Sequence, residues 1–284
     1  MGQHFVPQRY LRNFQAPKNP GFIWVHDKRG GSPRLAEIAE VAQSKGFYNP
    51  ETEKVLANEV EAPANSVIQK LVKESSITAT ERLQLAFYIG VMMKRVPAHR
   101  KRAMEMIPGV LEDVVAELRS KLRSLAKEVN VDPDVIVKRL KEADAVEEKF
   151  RRQPPTNVLE QIREPWPSPA VVQLLFNMTW RILAAAGPQY FITTDNPAFF
   201  FRGHGLQNDI SELSFPLSTT HALHGSWQRA ATNLIIVKAS QALVREMNRR
   251  LASDAKRLAF YHEPAPWLLK ILRKDSHYLS SIRW

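Results

Sequence analysis

The chain has no cysteine among its 284 residues. That absence removes a disulfide framework, a thiolate nucleophile and every cysteine-based zinc site, and it fits a reducing, cytoplasmic setting. Long apolar runs are also missing. A span of about 18 apolar residues is needed to cross a bilayer, and the richest stretch, AVVQLLFNMTWRILAAAG, is interrupted by Gln173, Asn177 and Arg181. It reads as a buried helix over 170–185 that stops at Gly187-Pro188. The start, MGQHFVPQRYLRNF, has no apolar signal-peptide core. Phe5-Val6 also stands where a myristoylation signal needs Ser or Thr, so no membrane association is expected. A phosphate-binding Gly-rich loop is lacking, because Gly203-His204-Gly205 has neither the following helix nor the Lys. No Gly-x-Ser-x-Gly elbow occurs.

What remains is ordinary globular composition, 44% hydrophobic and 24% charged, in a length that allows one large domain or two small ones. Acidic residues are the minority: 29 Asp and Glu face 40 Lys and Arg, for a net charge of +11. Basic residues cluster in KRVPAHRKR (94–102), at Arg151-Arg152 and in RRLASDAKR (249–257). Solvated helix faces account for such clusters. So does an anionic partner such as nucleic acid.

The spacing predicts a short helix over 7–14 with Pro7 in its first turn, then a strand from Phe22 to His26 turned by Asp27–Gly31. A second short strand is expected to end near Phe47-Tyr48. A helix from about Glu51 to Lys73 carries a bend at Pro63, and 80–152 is helical almost throughout. Its clean apolar stripe, Leu111, Val114, Val115, Leu118, Leu122, Leu125 and Val129, is either packed or faces a partner, and a homodimer through 111–129 is one expectation. Strands return at 189–201, on both sides of a Thr-Thr-Asp-Asn-Pro turn, and at 212–227. A last long helix covers about 239–255, and Leu258–Tyr261 is a short apolar end. The pattern is α+β: mostly helical, with a small, mainly antiparallel sheet built from strands near both ends. A single domain over 1–284 carries a helical elaboration at about 110–152.

Five residues carry the candidate chemistry. Asp195 interrupts the apolar QYFITTDNPAFFF segment. It is either an Asx turn or a carboxylate that orients a histidine or holds a divalent metal. Thr194 and Asn196 beside it would donate hydrogen bonds. His4 is either a packed or capping imidazole or a general base. Arg95 either packs its stem on the core or clamps phosphate or carboxylate. Of Glu59 and Glu61, which sit on different helix faces, at most one points into a site. His221 and His224 face opposite sides of a strand, which argues against joint zinc binding. Pro133-Asp134 with Glu147-Glu148-Lys149 mimics a two-metal nuclease signature, but in helical sequence rather than on adjacent strands.

Four segments, HFVPQRYLRNF, FITTDNPAFFF, FPLSTT and REMNRRLASDAKRLAFY, together resemble a widespread, largely bacterial domain family of unknown function. The matching positions are His4, Pro7, Tyr10, Leu11 and Phe14; Asp195, Asn196 and Pro197; Pro216, Leu217 and Ser218; and Asn248 with Ala255. Thr194 stands where many relatives have Ser. The resemblance implies that His4 and the Asp195 turn belong to one shared feature, and it supplies no mechanism. The expected enzyme is a hydrolase of nucleic acid or another phosphate ester, with His4 and Asp195 catalytic and Thr194, Asn196 and Arg95 binding substrate. The alternative is a non-catalytic module that binds nucleic acid or protein.

Overall fold

The computed structural model describes residues 2–45, 48–128, 132–201, 205–230, 234–274 and 279–284. Phe47, Val129 and the Gly203-His204 pair therefore lie outside the described residues. Two compact units are present: residues to Val96 together with Pro165–Trp284, and Pro97–Glu164. The elaboration expected over about 110–152 lies within the second unit.

In the first unit a short strand β1 (Gln3–His4) leads into helix α1 (Gln8–Leu11). Strands β2 (Phe22–Asp27) and β3 (Arg34–Glu37) form a hairpin. Its turn needs left-handed backbone at Gly30 (φ 125°) and Gly31 (φ 97°), which glycine adopts without a Cβ clash. Strand β4 (Gln43–Ser44) pairs antiparallel with β1. Helix α2 (Pro50–Val55) runs through a π-helical stretch, Leu56–Glu61, into α3 (Ala62–Val72). Pro63 sits in the first turn of α3, where its missing N–H is harmless. Helix α4 (Ala79–Lys94) begins one residue earlier than Thr80: Thr78 is its N-cap, in a reciprocal capping box with Glu81.

The second unit contains α5 (Pro97–Glu128), α6 (Pro133–Arg152) and α7 (Thr156–Arg163). The stripe on α5 divides. Val115 is buried, whereas Val114, Leu118 and Leu125 are exposed.

The apolar run expected to be one helix over 170–185 is instead α8 (Pro169–Asn177) followed by strand β5 (Thr179–Ala185). The Arg82 guanidinium accounts for the break. It donates to the carbonyls of Phe176 (2.9 Å) and Met178 (2.5 Å) and lies 4.2 Å from the Trp180 ring centroid. The helix end is thereby capped by a side chain, and the β-branched and aromatic residues beyond it enter a sheet.

The remaining elements are β6 (Thr193–Thr194), β7 (Phe199–Phe200), β8 (Glu212–Pro216), β9 (His221–Ser226), β10 (Leu234–Ala239), α9 (Gln241–Asp254), β11 (Leu258–Tyr261) and α10 (Pro266–Leu272). They complete two sheets. One has the order β10-β5-β9-β8-β7, antiparallel except for the parallel β10–β5 pair. The other, β3-β2-β11-β6, is antiparallel and joins N-terminal to C-terminal strands. The fold is α+β, as the sequence pattern implies. The strands around the Thr-Thr-Asp-Asn-Pro turn do not pair with each other. β6 belongs to one sheet and β7 to the other, so the turn is a crossover between sheets. Tyr10, Phe14, Tyr88 and Phe215 pack at the core of this unit, with the Tyr10 and Phe215 rings stacked at 5.4 Å. Among the described residues no helix is long and apolar enough to cross a membrane.

Candidate functional site

Asp195 follows β6 and is 6% exposed. Its Oδ1 accepts from the Lys256 amide (2.8 Å), and its Oδ2 from the amides of Arg257 (2.7 Å) and Leu258 (3.0 Å). Burial pushes the carboxyl up, while these amides and the Lys28 charge pull it back. Asn196 donates to the Asp254 carbonyl (3.1 Å) and carboxylate (2.6 Å) at the end of α9. Thr194 Oγ1 donates to the Asn196 carbonyl and accepts from its amide. The turn is a clamp that fastens the end of α9 and the start of β11.

The other shared-motif residues complete the same scaffold. Tyr10 Oη donates to the Pro216 carbonyl (2.8 Å) and lies 3.1 Å from Thr193 Oγ1. Asn248 receives the Ile192 amide (3.1 Å) and donates to the Tyr190 carbonyl (2.8 Å). Lys28 Nζ donates to the carbonyl of Ala255 (3.3 Å). The four segments thus meet, through hydrogen bonds to main-chain groups together with the Tyr10–Thr193 and Asn196–Asp254 side-chain contacts.

His4 has a different set of neighbours. Its Nε2 lies 3.2 Å from the Ala39 carbonyl, which accepts a hydrogen bond from Nε2–H and leaves Nδ1 as the basic atom. Arg95, 1% exposed, donates to the His4 carbonyl and to Glu61 Oε1 (2.5 Å). Tyr48 Oη donates to the Arg95 carbonyl (3.3 Å). Both guanidinium Nη atoms are thus engaged within the protein, and Nε is buried with no partner among the described residues. Of the two glutamates flanking Val60, Glu61 reaches this cluster and Glu59 is exposed.

Beside this cluster lies a groove of about 720 Å³, lined by His4, Gln3, Gln8, Gln43, Lys45 and Glu53 among others. Glu53 had no signal in the sequence beyond its place in an acidic helix start. One of its carboxylate oxygens, Oε2, is buried with no partner among the described residues. Burial pushes its carboxyl above the usual range, against the pull of Arg95. Burial pushes the His4 imidazole down. The Ala39 carbonyl opposes this, and the positive charge of Arg95 adds to it. One groove therefore holds two titratable groups, each biased toward its neutral form.

His4 and Asp195 share no hydrogen-bond partner. The Ala39 carbonyl holds the imidazole nitrogen that Asp195 was expected to orient, and both Asp195 oxygens are taken up by amides.

A second polar cluster is buried on the larger sheet. Glu212 Oε2 accepts from Arg250 Nη2 (2.8 Å) and His224 Nε2 (3.0 Å), and Glu212 Oε1 accepts from the Ile282 amide (3.0 Å). Arg250 also donates to Ser214 Oγ (3.2 Å) and the Ser280 carbonyl (2.6 Å). Burial pushes the His224 imidazole below its usual value, against the pull of Glu212. His221, on the other side of β9, lies 3.6 Å from Glu74. Among the described residues no three His, Asp or Glu side chains are grouped to hold a metal ion.

No curated protein and no solved structure matches the chain. Residues 2–265 match a family whose description is Protein of unknown function (DUF4238), and the chain belongs to that family.

Proposed function

We propose that the chain is a hydrolase of phosphate esters, nucleic acid included, with the His4 groove as its active site. One observation carries this reading: His4 and Glu53 line the same groove, and their surroundings push one pKa down and the other up. Pairs shifted in this way suit general acid–base work near neutral pH. His4 Nδ1 takes the proton of an attacking water, and Glu53 delivers a proton to the leaving oxygen. Arg95 positions His4 through the His4 carbonyl and adds positive potential, and Lys45 at the groove supplies a cation for the phosphoryl oxygens. Asp195, Thr194 and Asn196 support the strand crossover.

The test is hydrolysis of chromogenic phosphate mono- and diesters and of labelled oligonucleotides, with and without Mg²⁺ or Mn²⁺. Turnover that is lost in both His4→Ala and Glu53→Gln, in proteins that remain folded, supports the assignment. Equal turnover in wild type and both variants sinks it.

A second reading, a non-catalytic binding module, is favoured by the structural use of the shared motifs. Tyr10, Asp195 and Asn248 are all consumed by the scaffold. Salt-dependent binding with no turnover on any of these substrates would select it.

A further inference from the structure

Helices α9 and α10 enclose a groove of about 580 Å³ that the chemistry above does not use. Arg245 and Arg249, one turn apart on α9, line one side. Lys270 of α10 and Lys274 line the other. Trp267 and Ile271 form the apolar part of the surface, and among the described residues no Asp or Glu lines the groove. Arg249 is paired with Glu246 at 3.0 Å. Among the described residues Arg245, Lys270 and Lys274 have no carboxylate partner. Four cations around one concavity repel one another, and an anion seated there relieves the repulsion.

The indole is set in place. Its ring meets Tyr190 edge-on at 5.1 Å, Tyr190 meets His262 at 4.1 Å, and Tyr190 Oη donates to the Glu263 carbonyl. A fixed aromatic surface ringed by cations is the arrangement that binds unpaired bases and their phosphates. A duplex keeps its base faces stacked and would leave the indole idle. An acidic peptide would use the cations but not the ring. The volume is in the range of small-ligand sites, roughly 300–1,000 Å³, enough for one nucleotide.

We propose that this groove binds single-stranded nucleic acid, with a base stacked on Trp267 and the flanking phosphates on Arg245, Arg249, Lys270 and Lys274. The inference rests on the substrate class proposed for the His4 groove, but not on turnover there.

The test is fluorescence anisotropy of the full chain with a labelled single-stranded oligonucleotide, an abasic oligonucleotide of equal length and a duplex, over a range of salt. The single strand is expected to bind more tightly than the other two. Trp267→Ala should weaken binding of the single strand by roughly 5- to 100-fold and leave the abasic strand unchanged, and Trp267→Phe should restore most of the loss. Lys270→Gln with Lys274→Gln, which leaves the indole in place, should lower the salt slope by about 1 to 2. Equal affinity for the base-bearing and abasic strands overturns the proposal, as does absence of binding at low salt. Hydrolysis of small phosphate esters without strand binding would remove this inference alone. Strand binding without any hydrolysis would remove only the catalytic reading.

Discussion

Tyr10 donates its phenolic hydrogen bond to the carbonyl of Pro216, 206 positions further along the chain, at 2.8 Å. The same oxygen lies 3.1 Å from Thr193 Oγ1. One buried side chain of the opening motif therefore bonds to a strand residue from each sheet. Burial pushes the phenol far up, so it is a permanent donor. Tyr10→Phe strips the donor and strands the Pro216 carbonyl in the core. The expected loss is about 1–3 kcal/mol of stability, read as a lower urea midpoint at unchanged slope.

Asp195 should behave as a structural residue. Asp195→Ala leaves the amides of Lys256, Arg257 and Leu258 without their acceptor, and a loss of about 3 kcal/mol or more is expected. His4→Ala removes one exposed contact and should cost less than about 1 kcal/mol. Thermal melts of the two variants separate the roles. A larger loss in the His4 variant would contradict this assignment.

Stability should fall on the acid side of neutrality. His224 is held below its usual value, first by burial, so the native state resists a proton that the unfolded chain accepts from about pH 6.5 downward. Its contribution is complete above that pH and is lost as pH falls toward the folded value. Glu212 is held below its usual range by His224 and Arg250 despite its burial. Its contribution is present above about pH 4.5 and is lost as pH falls through its folded value. Denaturation midpoints at pH 8, 6 and 5 should decline in that order. His224→Gln should flatten the upper part of the decline only in part, because His4, His26 and His262 are also held low by burial.

Removing one partner of the Glu212–Arg250 pair should be far more harmful than its mere presence suggests. Arg250 is fully buried, and Arg250→Met leaves the Glu212 charge with only neutral donors. A loss of about 3–5 kcal/mol is expected. Circular dichroism during urea titration measures it.

The hydrolytic reading predicts a bell-shaped dependence of kcat/KM on pH, with its maximum on the acid side of neutrality. His4 must be unprotonated and Glu53 protonated, and their shifts toward each other place the optimum between them. Glu53→Gln should lower the rate about 100-fold or more and remove the alkaline limb while keeping the acidic one. An unchanged alkaline limb in that variant would assign it to another group.

The exposed half of the α5 stripe offers a direct test of self-association. Val114 is 58% and Leu118 44% exposed, and a homodimer through 111–129 would cover both. Sedimentation should show a dimer for the wild type and a monomer for Val114→Glu with Leu118→Glu. A wild type that is monomeric at every concentration ends that expectation.

The amino-acid sequence by itself determined what depends on neighbours along the chain. The hairpin turn at Asp27–Gly31 and the α+β pattern follow from turn chemistry and periodicity, all local effects. Only the tertiary structure decided what depends on distant partners. Arg82 ends a helix 94 positions away at Phe176 and sends Trp180 into a strand, where the apolar run alone reads as helix. Three amides from 256–258 occupy Asp195, so a residue type that suits catalysis is used as a clamp. Burial shifts both Glu53 and His4, and the Arg95 charge adds to the His4 shift while opposing that of Glu53, because desolvation and charge act through space rather than along the chain.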